Sequence, residues 1–576
     1  MSWKETYDLW RSSPALSAGE QAELAALAGD EKELESRFCA QLAFGTAGLR
    51  GVMGVGLNRM NIHVIRHATQ AFAEVILAQG AEAAQQGVAV CYDCRNHSEE
   101  FARTAACVMA ANGIPVRLFD GMRPTPELSF AIREYGCIAG INVTASHNPK
   151  EYNGYKVYWA DGAQLPPHHA AAIAEKMRAL DVFACAKTVD YDAAVADGRI
   201  VLMGTETDEA FLAQVMAQAT DRAVVAQVAD SFKMVYTPFH GTGRVLIPEA
   251  LKRLGMKHVL CVPEQMVPDG NFSTVVSPNP ENPEGFALAV ELAKKNGADF
   301  ILGSDPDADR VGIMVKNRDG DYVVISGNQT GVLLLDYLIS AKKRAGTMPE
   351  KPAALKTIVT TDMARAVAAR GGVDCYDTFT GFKFLAEKKN ELEATGAGKV
   401  IFSYEESFGY MVGDYVRDKD AVSASLLLTE MAAWYYSQGM TLYDALMAMY
   451  EKYGWYAEKT LNMVMPGLDG LARMQALMDS LRAQPLTELA GDPVVTRRDY
   501  ASGTETDVST GRETPMELRD SNVLAYILAD GTKILVRPSG TEPKVKVYIL
   551  ARGESQADCA GKIARYEAWG KSLLSR

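Results

Sequence analysis

Three carboxylates stand at alternate positions in Gly303-Ser304-Asp305-Pro306-Asp307-Ala308-Asp309-Arg310. Like charges this close raise one another's pKa unless a cation gathers them. An all-oxygen set on a proline-stiffened turn suits a hard ion, Mg²⁺ above all. Apolar runs at 300–302 and 311–315 place the loop between buried strands and argue against a solvated acidic turn. An EF-hand is excluded, because its sixth position is Arg310 instead of glycine and its twelfth is Lys316 instead of glutamate.

Another loop, Thr144-Ala145-Ser146-His147-Asn148-Pro149-Lys150, follows the apolar run 141–143 and continues to Asn153-Gly154-Tyr155-Lys156. An exposed serine on such a turn is a candidate nucleophile, with Lys150 and Lys156 near enough to neutralise a phosphate. Taken alone, the loop reads equally as an Asn-Pro turn with incidental polar residues. His147 invites a hydrolase reading, but neighbours on one strand point to opposite sides, and no G-x-S-x-G elbow is present. Arg537-Pro538-Ser539-Gly540-Thr541-Glu542-Pro543-Lys544 combines two cations, two hydroxyls and a glycine, the makings of an anion cradle. The competing Walker loop fails at Gly570-Lys571-Ser572, where Arg565 replaces the upstream glycine. Tyr404-Glu405-Glu406-Ser407-Phe408-Gly409 pairs carboxylates with a hydroxyl, a set suited to vicinal sugar hydroxyls and weak by itself.

The elements that must position these loops alternate. Short β-rich runs (87–92, 115–119, 235–236, 357–360) precede amphipathic helical stretches (99–112, 245–254, 363–370), the signature of an α/β fold. A strand–polar loop–strand pattern appears at 141–158, 300–315 and 400–412, giving three related units with one functional loop each. The first forty residues have helical spacing and form a lead-in. Residues 197–208 and 320–327 read as linkers. Beyond 455 the character becomes α+β: a loop-rich stretch at 491–513, strands at 523–528, 533–536 and 545–550, and a helix at 555–574. The resulting plan is 1–205 for the serine loop, 206–326 for the metal loop, 327–455 for the sugar loop and 456–576 for the phosphate loop.

Length alone requires several cores at 576 residues. A net charge of −13 excludes a general nucleic-acid or membrane-surface role, since both require basic faces. The first residues lack the pattern of a signal peptide, and no apolar run is long enough to span a bilayer. Nine sparse cysteines fit a reducing compartment, so the cytoplasm is expected. The Cys91-Tyr92-Asp93-Cys94 spacing lacks the second pair or histidines that a redox or zinc site requires, and 88–92 reads as a buried strand.

Together and in this order, the four loops resemble the α-D-phosphohexomutase superfamily, within it the phosphoglucomutase and phosphopentomutase branch. The likeness extends to Phe44-Gly45-Thr46-Ala47-Gly48-Leu49-Arg50-Gly51, His240-Gly241-Thr242-Gly243 and Thr380-Gly381-Phe382-Lys383. The resemblance implies an α/β chain of four domains around a central cleft, three related mixed α/β sandwich domains and a C-terminal α+β domain. It implies that Ser146 carries a phosphoryl group and ligates Mg²⁺ with Asp305, Asp307 and Asp309. Arg50 and Arg310 would steady that phosphate, Lys156 would be the general acid/base, and His147 and Lys383 would stand among the catalytic groups. Glu405, Ser407, Arg417 and Lys419 would bind sugar, and Arg537, Ser539, Gly540, Thr541 and Lys544 the phosphate not in transit. The implied activity interconverts glucose 1-phosphate and glucose 6-phosphate, with glucose 1,6-bisphosphate as activating intermediate. A small-molecule sugar phosphate would be the partner of a monomer or weak homo-oligomer. Pentose phosphates as substrate, or synthesis of a sugar 1,6-bisphosphate, are the alternatives. A phosphatase would leave room for water, and a sensor would have lost Ser146 or an aspartate.

Overall fold

Val88–Tyr92 is apolar and buried at all five positions, as a strand covered by helices on both faces must be. In the computed structural model, which describes residues 2–45, 48–465, 470–539 and 544–575, it is central to a six-stranded sheet. Val116–Phe119 and Ala139–Val143 flank it in parallel. Tyr152–Trp159 runs antiparallel to Ala139–Val143, and Leu49–Val52 antiparallel to Tyr152–Trp159. The lead-in forms the helices Trp3–Arg11, Ala18–Ala26 and Glu31–Phe38, the first two started by capping boxes at Ser2/Glu5 and Ser17/Glu20. Their Trp10, Leu24, Leu34 and Phe38 join the core of this first sheet.

The chain divides into two compact units, residues 1–325 with 408–441, and residues 326–407 with 442–576. The first unit also holds a five-stranded sheet in which Phe300–Ser304 lies between Met234–Thr237, parallel, and Val311–Lys316, antiparallel. Ala421–Ser437 packs beside this sheet against Arg222–Val228 and Gly243–Leu254, and it is buried nearly all round. Residues 408–441, within the expected segment 327–455, thus fold with the first unit.

In the second unit Pro352–Thr357 lies between parallel Asp374–Thr378 and Lys399–Glu405. A mainly antiparallel sheet follows, running from Trp455–Val464 through Lys544–Gly553, Lys533–Pro538, Leu524–Leu528 and Asp492–Asp499. Gln556–Ser572 packs on its Trp455–Val464 and Lys544–Gly553 strands. Fully buried Lys356 is 2.9 Å from both Asp362 and Asp377, and Lys533 is 2.9 Å from Asp362.

Several expectations change. Neither 197–208 nor 320–327 is a simple linker: Ile200–Met203 and Tyr322–Ile325 are edge strands, too short to stand out by alternation. The strand expected at 357–360 ends at Thr357, where Thr357 and Thr360 hydroxyls bond to each other and turn the chain. The stretch 491–513 holds the strands Asp492–Asp499 and Thr504–Asp507, whose polar residues disguise their pairing. Among the described residues no helix is long and apolar enough to cross a membrane.

Burial raises the Glu458 carboxyl to about 7, with the Asp362 charge assisting and a Thr361 hydrogen bond opposing. The folded chain then holds a proton that the unfolded chain releases near 4.5, so stability should fall as pH rises from about 4.5 to about 7. Glu458→Gln should flatten that slope: between pH about 5 and about 7.5 the parent's unfolding free energy from urea titrations should fall by up to about 3 kcal/mol more than the variant's.

Candidate active site

Ser146 lies beyond the end of Ala139–Val143 at φ +52°. It is off the pleat, so the expectation that Ser146 and His147 diverge fails: Ser146 Oγ is 3.1 Å from His147 Nδ1. The same Oγ donates to Asp305 Oδ2 at 2.8 Å. Enclosure in the protein, followed by the charges of Arg310 and Arg50, pushes the His147 imidazole well below its ordinary range, so it is neutral.

Asp305, Asp307 and Asp309 turn the hairpin between Phe300–Ser304 and Val311–Lys316. Asp305 Oδ1 accepts the Arg310 N–H at 2.9 Å, and the Ala308 N–H returns to the Asp305 carbonyl at 2.9 Å, with Ala308 at φ +49°. The Thr242 N–H caps the Pro306 carbonyl at 2.8 Å. Gly241 is required beneath, since a Cβ there would lie 2.4 Å from Pro306 Cα. The three carboxylates are at most 1% exposed, with one oxygen from each lying within 4.8 Å of the others.

Lys156, on Tyr152–Trp159, reaches Asp307 at 2.7 Å and Asp309 at 3.4 Å. Lys419 reaches Asp309 at 3.3 Å and Asp418 at 3.0 Å. Burial and the two neighbouring carboxylates lift Asp305 well above the carboxylate range. Burial acts on Asp307 in the same direction but is outweighed by Lys156, which holds it low. The Lys156 ammonium is raised, since Asp307 and Asp309 overcome the desolvation that would lower it. Asp307 Oδ1 and Asp309 Oδ1 are buried without a hydrogen-bond partner. Two unsatisfied anionic oxygens beside an all-oxygen set are what a hard cation such as Mg²⁺ would satisfy.

The other expected residues divide between the units. Arg50, on Leu49–Val52, donates to Asn148 Oδ1 at 3.1 Å, and Arg310 Nε lies 3.7 Å from Asp309. Arg417 donates to Asp414 Oδ1 at 2.7 Å and to the Asp414 and Val416 carbonyls, so its guanidinium closes on its own loop. Lys419, expected at a sugar, stands at the triad. Gly409 lets it pass, since a Cβ there would meet Lys419 Cδ at 2.2 Å. In the second unit Glu405 Oε1 accepts the Gly381 N–H at 2.8 Å, and Ser407 follows it. Lys383 lies in Phe382–Thr395 over the Phe384 ring, its ammonium lowered by burial. Arg537 is next to last in Lys533–Pro538, and the Ser539 N–H donates to the Lys544 carbonyl at 2.7 Å. Gly540 and Thr541 lie outside the described residues, as do Thr46 and Ala47 of the early motif.

Sequence reasoning missed the supporting groups. Thr125 donates its hydroxyl to Asp307 Oδ2 at 3.0 Å and its N–H to the Asp307 carbonyl at 2.8 Å, and Asn142 Nδ2 donates to the Thr125 hydroxyl at 2.7 Å. Tyr158 donates to Asp418 at 2.9 Å. Glu406 Oε2 lies 3.2 and 3.1 Å from the Thr357 and Thr360 hydroxyls, which share their two protons between it and each other. An asparagine inside the apolar strand Ala139–Val143 was the one visible signal.

A serine hydroxyl held against a buried carboxylate triad, on helix-covered α/β sheets, is the arrangement of an α-D-phosphohexomutase. Four domain families match along the chain: phosphoglucomutase/phosphomannomutase alpha/beta/alpha domains I at 41–182, II at 209–320 and III at 326–453, and the C-terminal domain at 481–560. The chain belongs to the phosphoglucomutase/phosphomannomutase family. It is 34% identical over 516 residues to a phosphoglucomutase of Staphylococcus haemolyticus, covering 89% of this chain and 91% of that one. A phosphoglucomutase of Staphylococcus aureus is 34% identical over 545 residues, covering 92% of this chain and 94% of its own. The fold matches the open form of parafusin, a phosphoglucomutase from Paramecium, with a TM-score of 0.67 at 19% identity, covering 93% of this chain and 95% of that one.

Mg²⁺ at about 100 times its Kd should stabilise the chain by about 2.7 kcal/mol, read as a shift in urea midpoint. Asp305→Asn and Asp309→Asn should each remove that shift. A variant with all three aspartates replaced that still shifts like the parent would place the ion elsewhere.

Proposed function

We propose that the chain is a phosphoglucomutase that interconverts glucose 1-phosphate and glucose 6-phosphate through a phosphoryl group carried on Ser146. The observation that carries this reading is the Ser146 hydroxyl, 2.8 Å from Asp305 within the buried triad. Relatives named phosphoglucomutase support glucose as the sugar.

Phosphoryl transfer depends on positioning and charge neutralisation more than on covalent catalysis. In the forward half, the P–O bond to Ser146 breaks as one forms to a sugar hydroxyl, whose proton passes to Lys156 in its neutral form while the freed serine oxygen takes a proton from Asp305 Oδ2. The product is the bisphosphate, glucose 1,6-bisphosphate, which also primes Ser146 in an enzyme lacking phosphate. In the return half the P–O bond to the sugar breaks as the other phosphate passes to Ser146, whose hydroxyl proton moves to Asp305 Oδ2, and Lys156 gives its proton to the departing sugar oxygen. Asp307 and Asp309 keep Lys156 charged for that return half. Asp305, Asp307, Asp309 and the Ser146 oxygen would hold Mg²⁺, which when bound neutralises charge on the phosphoryl oxygens. Arg50, Arg310 and neutral His147 steady the serine-bound group, and Lys419 keeps Asp309 ionised. Glu405, Ser407 and Lys383 are assigned to the sugar. Arg537, Ser539, Gly540, Thr541 and Lys544 are assigned to the phosphate not in transit. Arg417, held by Asp414, and Lys419 are assigned to the sugar as well.

The domain plan 1–205, 206–326, 327–455 and 456–576 belongs to the same proposal. So do a cytoplasmic location, supported by nine free thiols, and a monomeric or weakly associated state.

Glucose 1-phosphate, mannose 1-phosphate and ribose 1-phosphate assayed side by side should give a kcat/KM at least about tenfold higher for glucose. Intact mass should show a phosphate-sized increment absent from Ser146→Ala, and that variant should be inactive. Preference for ribose 1-phosphate would make the chain a phosphopentomutase, and net accumulation of bisphosphate from a second donor would make it a synthase. Full mutase activity in Ser146→Ala would end the reading.

A further inference from the structure

The left-handed backbone of Ser146 is disfavoured for a residue with a side chain, so the surroundings must impose it. Its hydrogen bonds lead to one place. The Ser146 N–H donates to Thr144 Oγ1 at 2.8 Å, and that hydroxyl donates to Asp93 Oδ2 at 2.6 Å. The Ser146 carbonyl accepts Arg95 Nη2 at 2.6 Å, and Arg95 Nε lies 3.3 Å from the same Asp93 oxygen. Both peptide groups flanking the serine Cα therefore rest on a single buried pair.

Arg95 reaches further along the loop. Nη2 also donates to the Asn148 carbonyl at 2.6 Å, and Nη1 donates to the Pro149 and Tyr152 carbonyls at 2.9 and 3.0 Å. Four carbonyls over seven residues are gathered by one planar guanidinium, which a flexible ammonium cannot imitate. Asp93 is fixed in turn, its Oδ1 accepting the Arg95 N–H at 2.9 Å and the Ser98 hydroxyl at 2.7 Å. Arg95 and Asp93 are each 3% exposed, so neither is a surface residue serving solubility.

The same segment meets the metal-loop sheet. Arg95 Cζ lies 5.0 Å from the centre of the Phe272 ring, and Asn96 Nδ2 donates to Asn271 Oδ1 at 3.0 Å. At Gly270 a Cβ would fall 2.5 Å from the Asn96 nitrogen, so the two backbones touch. The group that shapes the serine loop is thus also registered to the part of the chain that presents Asp305.

We propose that Arg95, held by Asp93, is the positioning residue that fixes the Ser146 backbone and aims its hydroxyl at Asp305. The role rests on the reading of Ser146 as phosphoryl carrier. The serine must return to one position each time its phosphate leaves, and a misplacement of about 1 Å is worth about a hundredfold in rate. Arg95 spends its guanidinium on Asp93 and the loop carbonyls and touches none of the triad, so its loss acts on the chemical step and leaves substrate affinity alone.

The test uses the full chain with Arg95→Lys and, separately, Thr144→Val, which cuts the other limb. Arg95→Lys should keep its melting transition, lower kcat about a hundredfold and leave KM within about threefold. Amide exchange should quicken about tenfold in the peptide 144–152 and stay unchanged elsewhere. Thr144→Val should also lose kcat, and the double variant should lose little beyond the worse single one, because both limbs secure one backbone. Should Arg95→Lys fail to fold, Thr144→Val with its exchange pattern carries the same test. An active parent with Arg95→Lys at parental kcat, or impaired only through KM, overturns the role alone. A parent inactive on every sugar phosphate overturns the reading of Ser146 and this role with it.

Discussion

Three carboxylates within 4.8 Å of one another, at most 1% exposed, cannot all ionise without help. Much of the first unit can be understood as the supply of that help. Lys156 comes from the six-stranded sheet, Lys419 from the returning segment 408–441, and the Thr125 hydroxyl from the start of Thr125–Glu134. The hairpin adds the Arg310 N–H to Asp305. Because each donor rides on a different element, the two sheets and the returning helix must hold a common register for any of the charges to be tolerated. Neutralisation is uneven: Asp307 is held low while Asp305, nearest Ser146, is pushed up. The oxygen that meets the serine hydroxyl thus belongs to the most basic carboxylate of the set.

The second unit meets a related demand differently. Glu405 is tied to the Gly381 N–H and Glu406 to two threonine hydroxyls, so neutral donors orient these acids. Its strongest charges are placed deeper, where Lys356 lies between Asp362 and Asp377 and Lys533 adds to Asp362. Breaking such a buried set costs more than forming it returns. Its value is therefore in fixing where Pro352–Thr357 and Lys533–Pro538 lie within the unit.

Much of this was legible in the residues. Alternating carboxylates between apolar runs could be read as one site because both the chemistry and the strands are local. The α/β alternation was equally plain at 88–92 and 98–111, where period and burial agree. What escaped depends on distance along the chain. Thr125 meets Asp307 182 positions away, and no spacing rule announces it. Edge strands at 200–203 and 322–325 escaped because four residues with mixed exposure carry little pattern. The opposed reading of Ser146 and His147 failed for a sharper reason: it assumed a pleat, and one residue at positive φ cancels the pleat. Asp93 and Arg95 escaped for the same reason as Thr125, since Arg95 meets the Ser146 carbonyl 51 positions away.

The chain passes between its units at 325–326, 407–408 and 441–442. A ribosome releasing it from the N-terminus delivers both sheets of the first unit well before Ala421–Ser437, the helix that seals the second of them, and before Lys419. For the time needed to make roughly a hundred residues, at about 5–20 residues per second, the nascent five-stranded sheet has an uncovered apolar side and its triad lacks one of its two lysines. The order of synthesis thus keeps the acidic loop incomplete until much of the second unit's α/β half has emerged, and chaperones would have their longest opportunity to bind in that interval.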